Sequence, residues 1–144
     1  MEKLVIVGSL LNKALVSLKQ SFEVLEEAKR LNSEGLVLAA QDSIIQRFEY
    51  SYESFWKFLK KYMEETHNVL DINSPRSVFR MCIKLALCSE QEGEVLLRMI
   101  DDSNATSHRY DAQEALRALP NVGHYYALMA AVTERISKKC ACTE

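Results

Sequence analysis

The densest chemistry in this 144-residue chain lies in Asp101-Asp102-Ser103-Asn104-Ala105-Thr106-Ser107-His108-Arg109-Tyr110. An amide, an imidazole, a guanidinium and a phenol follow two carboxylates. Such groups bind phosphate or move protons. Asn104 and His108 stand four residues apart, which on a helix puts them about 40° apart on one face. His108 and Tyr110 are two apart and on a helix would point roughly 200° away from each other. For all three to serve one site, the backbone must leave the helix near His108. A second reading needs no chemistry: Asn104 ends a helix and the polar residues are its solvated end.

The other reactive residues are scattered. Cys82 and Cys88 sit in an apolar helical run and read as small core residues. Cys140 and Cys142 lie in a polar tail, with no complementary His or Cys motif to complete a metal site. We expect no metal and no cofactor. His67 falls near a helix end, where it would partner the helix dipole. His124, beside Tyr125 and Tyr126, reads as a packing or surface residue.

Composition bounds what these residues can do. The formal net charge is -2 and the pI is near 6.0. That argues against a broad basic surface for nucleic acid and leaves room for a local basic site. Four Gly and two Pro are few for a many-turned β protein and suit long helices. No apolar stretch is long enough to span a bilayer. The run Leu4 to Val7 lacks a basic leader, so it is not read as a signal peptide. The expectation is a cytoplasmic protein with reduced thiols.

The elements that must position the polar segment follow from apolar spacing. Leu11, Leu15, Leu18, Phe22 and Leu25 predict a first helix over 9–30. Asn32, Ser33 and Gly35 supply a turn. Ile45, Phe48, Tyr52, Phe55, Trp56, Leu59 and Met63 predict a long second helix, about 36–66. So dense an aromatic stripe reads as core rather than as a base-stacking platform. Ser74-Pro75 starts a third helix, with Ser as N-cap and Pro at the first helical position. Ser89 and Glu92 form a capping box for a fourth. Asp111 and Glu114 repeat the pattern for a fifth, which Pro120 and Gly123 should break or kink. The fold class is all-α: an antiparallel up-and-down four-helix bundle with an extra short or kinked helix. One domain spans 1–137, followed by a disordered tail over 138–144.

Three of these stretches resemble a known family. Ile45-Gln46-Arg47-Phe48-Glu49-Tyr50-Ser51-Tyr52-Glu53, running into Trp56-Lys57, is similar to the second helix of the nucleotidyltransferase substrate-binding family. Ser74-Pro75-Arg76 resembles the start of its third helix. Asn104, His108 and Tyr110 match its signature, an Arg-Asn pair followed by His-x-Tyr. The resemblance covers about residues 10–137 in order. It places the chain in the HEPN superfamily and implies a homodimer with the polar motifs lining a cleft between subunits. It also implies a partner, a minimal nucleotidyltransferase encoded nearby, in pairs that look like toxin–antitoxin systems. There the HEPN protein is a metal-independent ribonuclease that its partner can silence by adenylylating the motif tyrosine.

The resemblance gives His108 and Asn104 the catalytic places, Tyr110 the place of modification, and Arg47 and Glu49 a bracing place across the cleft; Arg109, beside His108, reads as a holder of incoming phosphate. It fails at Ser103, which stands where the family has its motif arginine. Arg98, five positions earlier, is expected to pair with Asp101 or Asp102 instead of replacing it. Losing one preorganised phosphate donor typically costs roughly 10²–10³ in rate. Three functions remain open from sequence. One is a partner subunit that presents Tyr110 or a bound nucleotide to a nucleotidyltransferase. The second is an active ribonuclease toxin acting on RNA through His108. The third is a helical scaffold without chemistry.

Overall fold

Leu4, Leu11, Leu15 and Leu18 recur on one stripe, and burying each gains on the order of 1.5–3 kcal/mol. That stripe sets the first element, and similar stripes set the rest. The structure is a computed structural model that describes residues 2–107 and 112–142. Its elements are α1 (Glu2–Arg30), α2 (Glu34–His67), α3 (Pro75–Lys84), α4 (Glu90–Ser107) and α5 (Ala112–Cys142), with no strand among the described residues. None of these helices is long and apolar enough to cross a membrane.

Contacts along the helices give their directions. Arg47 of α2 bonds Ser17 of α1, and Phe58 of α2 lies against Gly8 of α1. Advancing along α2 means receding along α1, so the two are antiparallel. In the same way Asp102 of α4 meets Tyr125 of α5, and Glu92 meets Arg135. α2 and α5 run parallel: Phe48 stacks on Tyr125 with ring centroids 5.8 Å apart, and Phe58 shares a groove with Cys140. The four long helices therefore alternate in direction, with short α3 between the second and third of them. The tip of the α1–α2 hairpin and the C-terminal end of α4 lie at the same end of the bundle.

Most of the expected aromatic stripe of α2 is core, with Trp56 only part-buried at its edge. Phe48, Phe55 and Leu59 are fully buried, and Tyr52 nearly so. Rings enclosed in this way offer no face to a nucleic-acid base.

The helix boundaries correct the sequence reading in places. α1 begins at Glu2 rather than near residue 9, because Leu4 continues its buried stripe. α2 begins at Glu34, since Ser33 caps it through a bond from Leu36 N, and Gly35 falls inside the first turn. Pro120 does not break α5, which is continuous on both sides of it. The ring removes one N–H from the ladder, and the residue is exposed, where water can serve the freed carbonyl. α5 continues beyond Ser137, the expected end of the bundle, to Cys142. The Ser74 and Ser89 caps both form as expected, each with its reciprocal bond.

Candidate functional site

α4 carries the candidate residues, so what holds α4 comes first. Ser89 Oγ accepts from Glu92 N, and Glu92 Oε1 accepts from Ser89 N. The Glu92 carboxylate also receives two bonds from Arg135 of α5, at 3.1 and 3.0 Å. Arg135 donates in addition to Leu87 O. A two-pronged guanidinium contact fixes orientation as well as distance. These contacts, led by the Arg135 bonds, hold the Glu92 carboxyl below its ordinary value. At Gly93 a Cβ would lie 2.3 Å from Ile83 Cδ1, so α3 packs directly on the backbone of α4.

At the other end of α4, Asn104 is exposed and Ser103 is buried, at 4%. Thr106 Oγ1 and Ser107 Oγ both donate to the Ser103 carbonyl, at 2.9 and 2.8 Å. These hydroxyls serve a backbone acceptor in the last turn, where helical partners run out. Ser103 thus sits against the bundle interior, away from the face that bears Asn104. A phosphate on that face would not reach its hydroxyl. His108, Arg109, Tyr110 and the expected cap Asp111 lie outside the described residues.

The two acids take separate partners, neither of them Arg98. Asp101 pairs with Arg76 of α3 at 3.9 Å, a mostly exposed contact that contributes little. Asp102 Oδ2 accepts from Tyr125 Oη at 2.5 Å and from Asn121 Nδ2 at 3.2 Å. Asn121 and Tyr125 are four apart, so both reach the same acceptor from one face of α5. Burial, and then the bond to Asp102, push the Tyr125 phenol well above its ordinary value. Arg98, Asp101, Asp102, Asn121, His124, Tyr125 and Val95 line a polar pocket of about 260 Å³ between α4 and α5.

The second-helix candidates divide. One guanidinium nitrogen of Arg47 donates to Ser17 O at 2.8 Å, tying α2 to α1. Glu49 turns to another flank of α2, and its buried Oε1 has no hydrogen-bond partner among the described residues. Their neighbour Phe48 stacks on Tyr125, which bonds Asp102. The α2 motif and the α4 segment therefore lie at one level of the bundle, linked through α5.

Sequence reasoning missed the Asp102–Asn121–Tyr125 cluster and treated His124 as a packing or surface residue. The four-residue spacing on α5 was visible, but which helix it would face was not. Burial pushes the Cys82 thiol up to about 12 and the Cys88 thiol up to about 11, as suits packed, unreactive cysteines. No group of three or more His, Cys, Asp or Glu among the described residues could hold a metal ion. A larger groove of about 680 Å³ runs along α1 beside Phe58, Ser137 and Cys140, and none of the described candidate residues lines it. Its lining includes Lys13 but no carboxylate or histidine.

Known proteins share this architecture. The family model described as "Nucleotidyltransferase substrate binding protein like" matches residues 9–138. A search of curated proteins found no match. Among solved structures, a Thermus thermophilus protein is 32% identical with a TM-score of 0.73, over 88% of this chain and 98% of its own. A Haemophilus influenzae protein, described as revealing the fold of a substrate binding domain of a nucleotidyltransferase, is 20% identical with a TM-score of 0.76, over 90% and 98%. A tri-AMPylated Shewanella oneidensis HEPN toxin, solved in complex with its MNT antitoxin, is 13% identical with a TM-score of 0.71, over 94% and 96%.

Proposed function

Since the chain belongs to the nucleotidyltransferase substrate-binding protein-like family, we propose that it is the partner subunit of a two-component nucleotidyltransferase–HEPN system. In this reading it forms a homodimer, with Asn104, His108 and Tyr110 at the cleft between subunits. A minimal nucleotidyltransferase encoded nearby acts on Tyr110. The carrying observation is the family match over residues 9–138, which spans every motif of the site. The fold likeness to an AMPylated HEPN toxin bound to its antitoxin supports the choice of partner. Asn104 is exposed four residues before His108, where a second protein can approach.

The chemistry divides between the two proteins. A phenol with an ordinary pKa of about 10 is a poor nucleophile at neutral pH. A base on the nucleotidyltransferase takes its proton as the phenolic oxygen attacks the α-phosphorus of ATP. The O–P bond forms, the α–β phosphoanhydride breaks and pyrophosphate leaves. This chain lacks a Gly-rich phosphate loop, so the Mg²⁺ and the triphosphate belong to the partner's site. Here Tyr110 supplies the hydroxyl, and Arg109 steadies the incoming phosphate.

The runner-up is an active metal-independent ribonuclease, favoured by the retained Asn104, His108 and Tyr110. Ser103 weighs against it. A buried neutral hydroxyl cannot replace an exposed guanidinium at a phosphate. The test is to purify the chain with the neighbouring nucleotidyltransferase, add ATP and Mg²⁺, and measure intact mass. The expected result is a gain of one or more AMP units that is lost in Tyr110→Phe. No gain with a demonstrably active partner, or a gain that survives Tyr110→Phe, overturns the proposal. Efficient RNA cleavage that His108→Ala abolishes would establish the runner-up.

A further inference from the structure

The pocket between α4 and α5 is built from groups that the bundle itself holds in place. Its floor is Tyr125, 4% exposed, whose hydroxyl fixes the Asp102 carboxylate from below. Asn121 holds the same carboxylate from the side. Both bonds fall on Oδ2, which leaves Oδ1 open to another donor. Arg98 is exposed, lines the pocket, and forms no ion pair among the described residues. His124 lines it from α5. The pocket therefore combines an oriented carboxylate with a guanidinium that pairs with no carboxylate among the described residues.

We propose that this pocket binds a guanine base, with Asp102 accepting from its Watson–Crick edge and Arg98 donating to its O6 and N7. Guanine alone among the four RNA bases has two adjacent N–H donors, N1–H and N2–H, beside two adjacent acceptors, O6 and N7. Adenine and cytosine would set a bare ring nitrogen against the carboxylate. Uracil offers a single N–H between two carbonyls. The Asp101 carboxylate, held only by its long 3.9 Å exposed contact to Arg76, adds a second acceptor next to Asp102, and His124 offers a ring that can lie against a base. At about 260 Å³ the pocket is smaller than the roughly 300–1,000 Å³ of drug-sized sites, a size that suits a base rather than a whole dinucleotide. The proposal does not depend on Tyr110 being modified.

Two sources carry this base: a free guanine nucleotide and single-stranded RNA. The experiment titrates the full chain alone with GMP, AMP, CMP and UMP, then with single-stranded oligoribonucleotides that contain or lack G. It is read by backbone amide shifts. GMP should bind at least tenfold more tightly than the others, with shifts confined to 98–102 and 121–125. Arg98→Ala should weaken GMP about 5- to 150-fold, the range of one good base-edge pair. Asp102→Asn keeps an oxygen for Tyr125 and should erase the preference for guanine. G-dependent RNA binding with weak GMP binding assigns the site to RNA, and tight GMP binding assigns it to the nucleotide. Equal affinities for the four nucleotides, no guanine dependence with either source at millimolar concentration, or GMP binding unchanged in both variants overturns the proposal. The AMP-transfer assay is unaffected by any of these results.

Discussion

Tyr125→Phe tests the link between the core and the polar pocket. The substitution removes one oxygen and keeps the ring that stacks on Phe48. What is lost is a 2.5 Å bond to a carboxylate. Hydrogen bonds to charged groups contribute about 1.5–3 kcal/mol. Asp102 is half-buried and keeps Asn121, so the lower end applies, about 1.5 kcal/mol. For a domain of this size that lowers Tm by about 4–6 °C. The alkaline limb gives a second readout. The folded Tyr125 phenol holds its proton more tightly than the 10.0 of an ordinary tyrosine, through burial first and the bond to Asp102 second. A group whose pKa rises on folding contributes stability that is complete below the unfolded value and disappears as pH climbs above it. The wild type should therefore lose stability above pH 10.0 more steeply than Tyr125→Phe. Tyr52, pushed up to about 12, is common to both and cancels in the difference. The assay is thermal unfolding by circular dichroism from neutral to strongly alkaline pH. An unchanged Tm at pH 7, or parallel alkaline limbs, would refute the reasoning.

Three further expectations concern α4. Gly93→Ala gains about 1 kcal/mol in helix propensity, but its methyl would lie 2.3 Å from Ile83 Cδ1, and overpacking costs about 1–3 kcal/mol. Chemical denaturation should show a net loss, and a gain would mean that Ile83 turns aside freely. Glu92→Gln keeps the capping box and weakens the Arg135 contact, costing about 0.5–1.5 kcal/mol at pH 7. Because the Glu92 carboxyl sits below 4.5, its contribution is present above that pH and lost as pH falls, so the variant should unfold with a flatter acid limb. Ser103→Arg restores the family's residue type at a position only 4% exposed. Overpacking there costs about 1–3 kcal/mol, so Tm should fall with no gain in RNA cleavage, and cleavage without loss of Tm would show that the side chain finds the outer face.

Much of the fold was legible because its information is local. The three- and four-residue steps of Leu11, Leu15, Leu18 and of Phe48, Tyr52, Phe55 repeat the geometry of a helix. Ser74 and Ser89 announce helix starts through partners three residues away. Gly35 and Pro120 were misjudged for one shared reason. Each is a breaker by type, but the Ser33 cap starts α2 ahead of Gly35, and at exposed Pro120 water serves the freed carbonyl while the packed residues beyond keep α5 continuous. The pairing of Asp102 with Tyr125 was illegible because it depends on how α4 and α5 are rotated against each other. The burial of Ser103 beside exposed Asn104 was within reach, since Met99 and Ile100 set the buried side of α4 and Ser103 lies one turn on. The family motif drew the eye to the residue type and away from its phase on the helix.

Pro120 has a consequence for the kinetics of α5. Without an N–H at 120, the carbonyl of Leu116 has no partner one turn ahead, and the ladder lacks a rung at that point. Unravelling that starts at the helix N-terminus can halt there, since the rungs beyond it do not depend on those before it. Residues 112–117, which precede the buried Ala118, should then exchange their amides with solvent through local opening. The buried run through Val122, Met129, Val132 and Ile136 is held by the core, and its amides exchange through opening of the whole domain. One ring thereby sets how far an opening that starts at the N-terminus of α5 can spread toward the core.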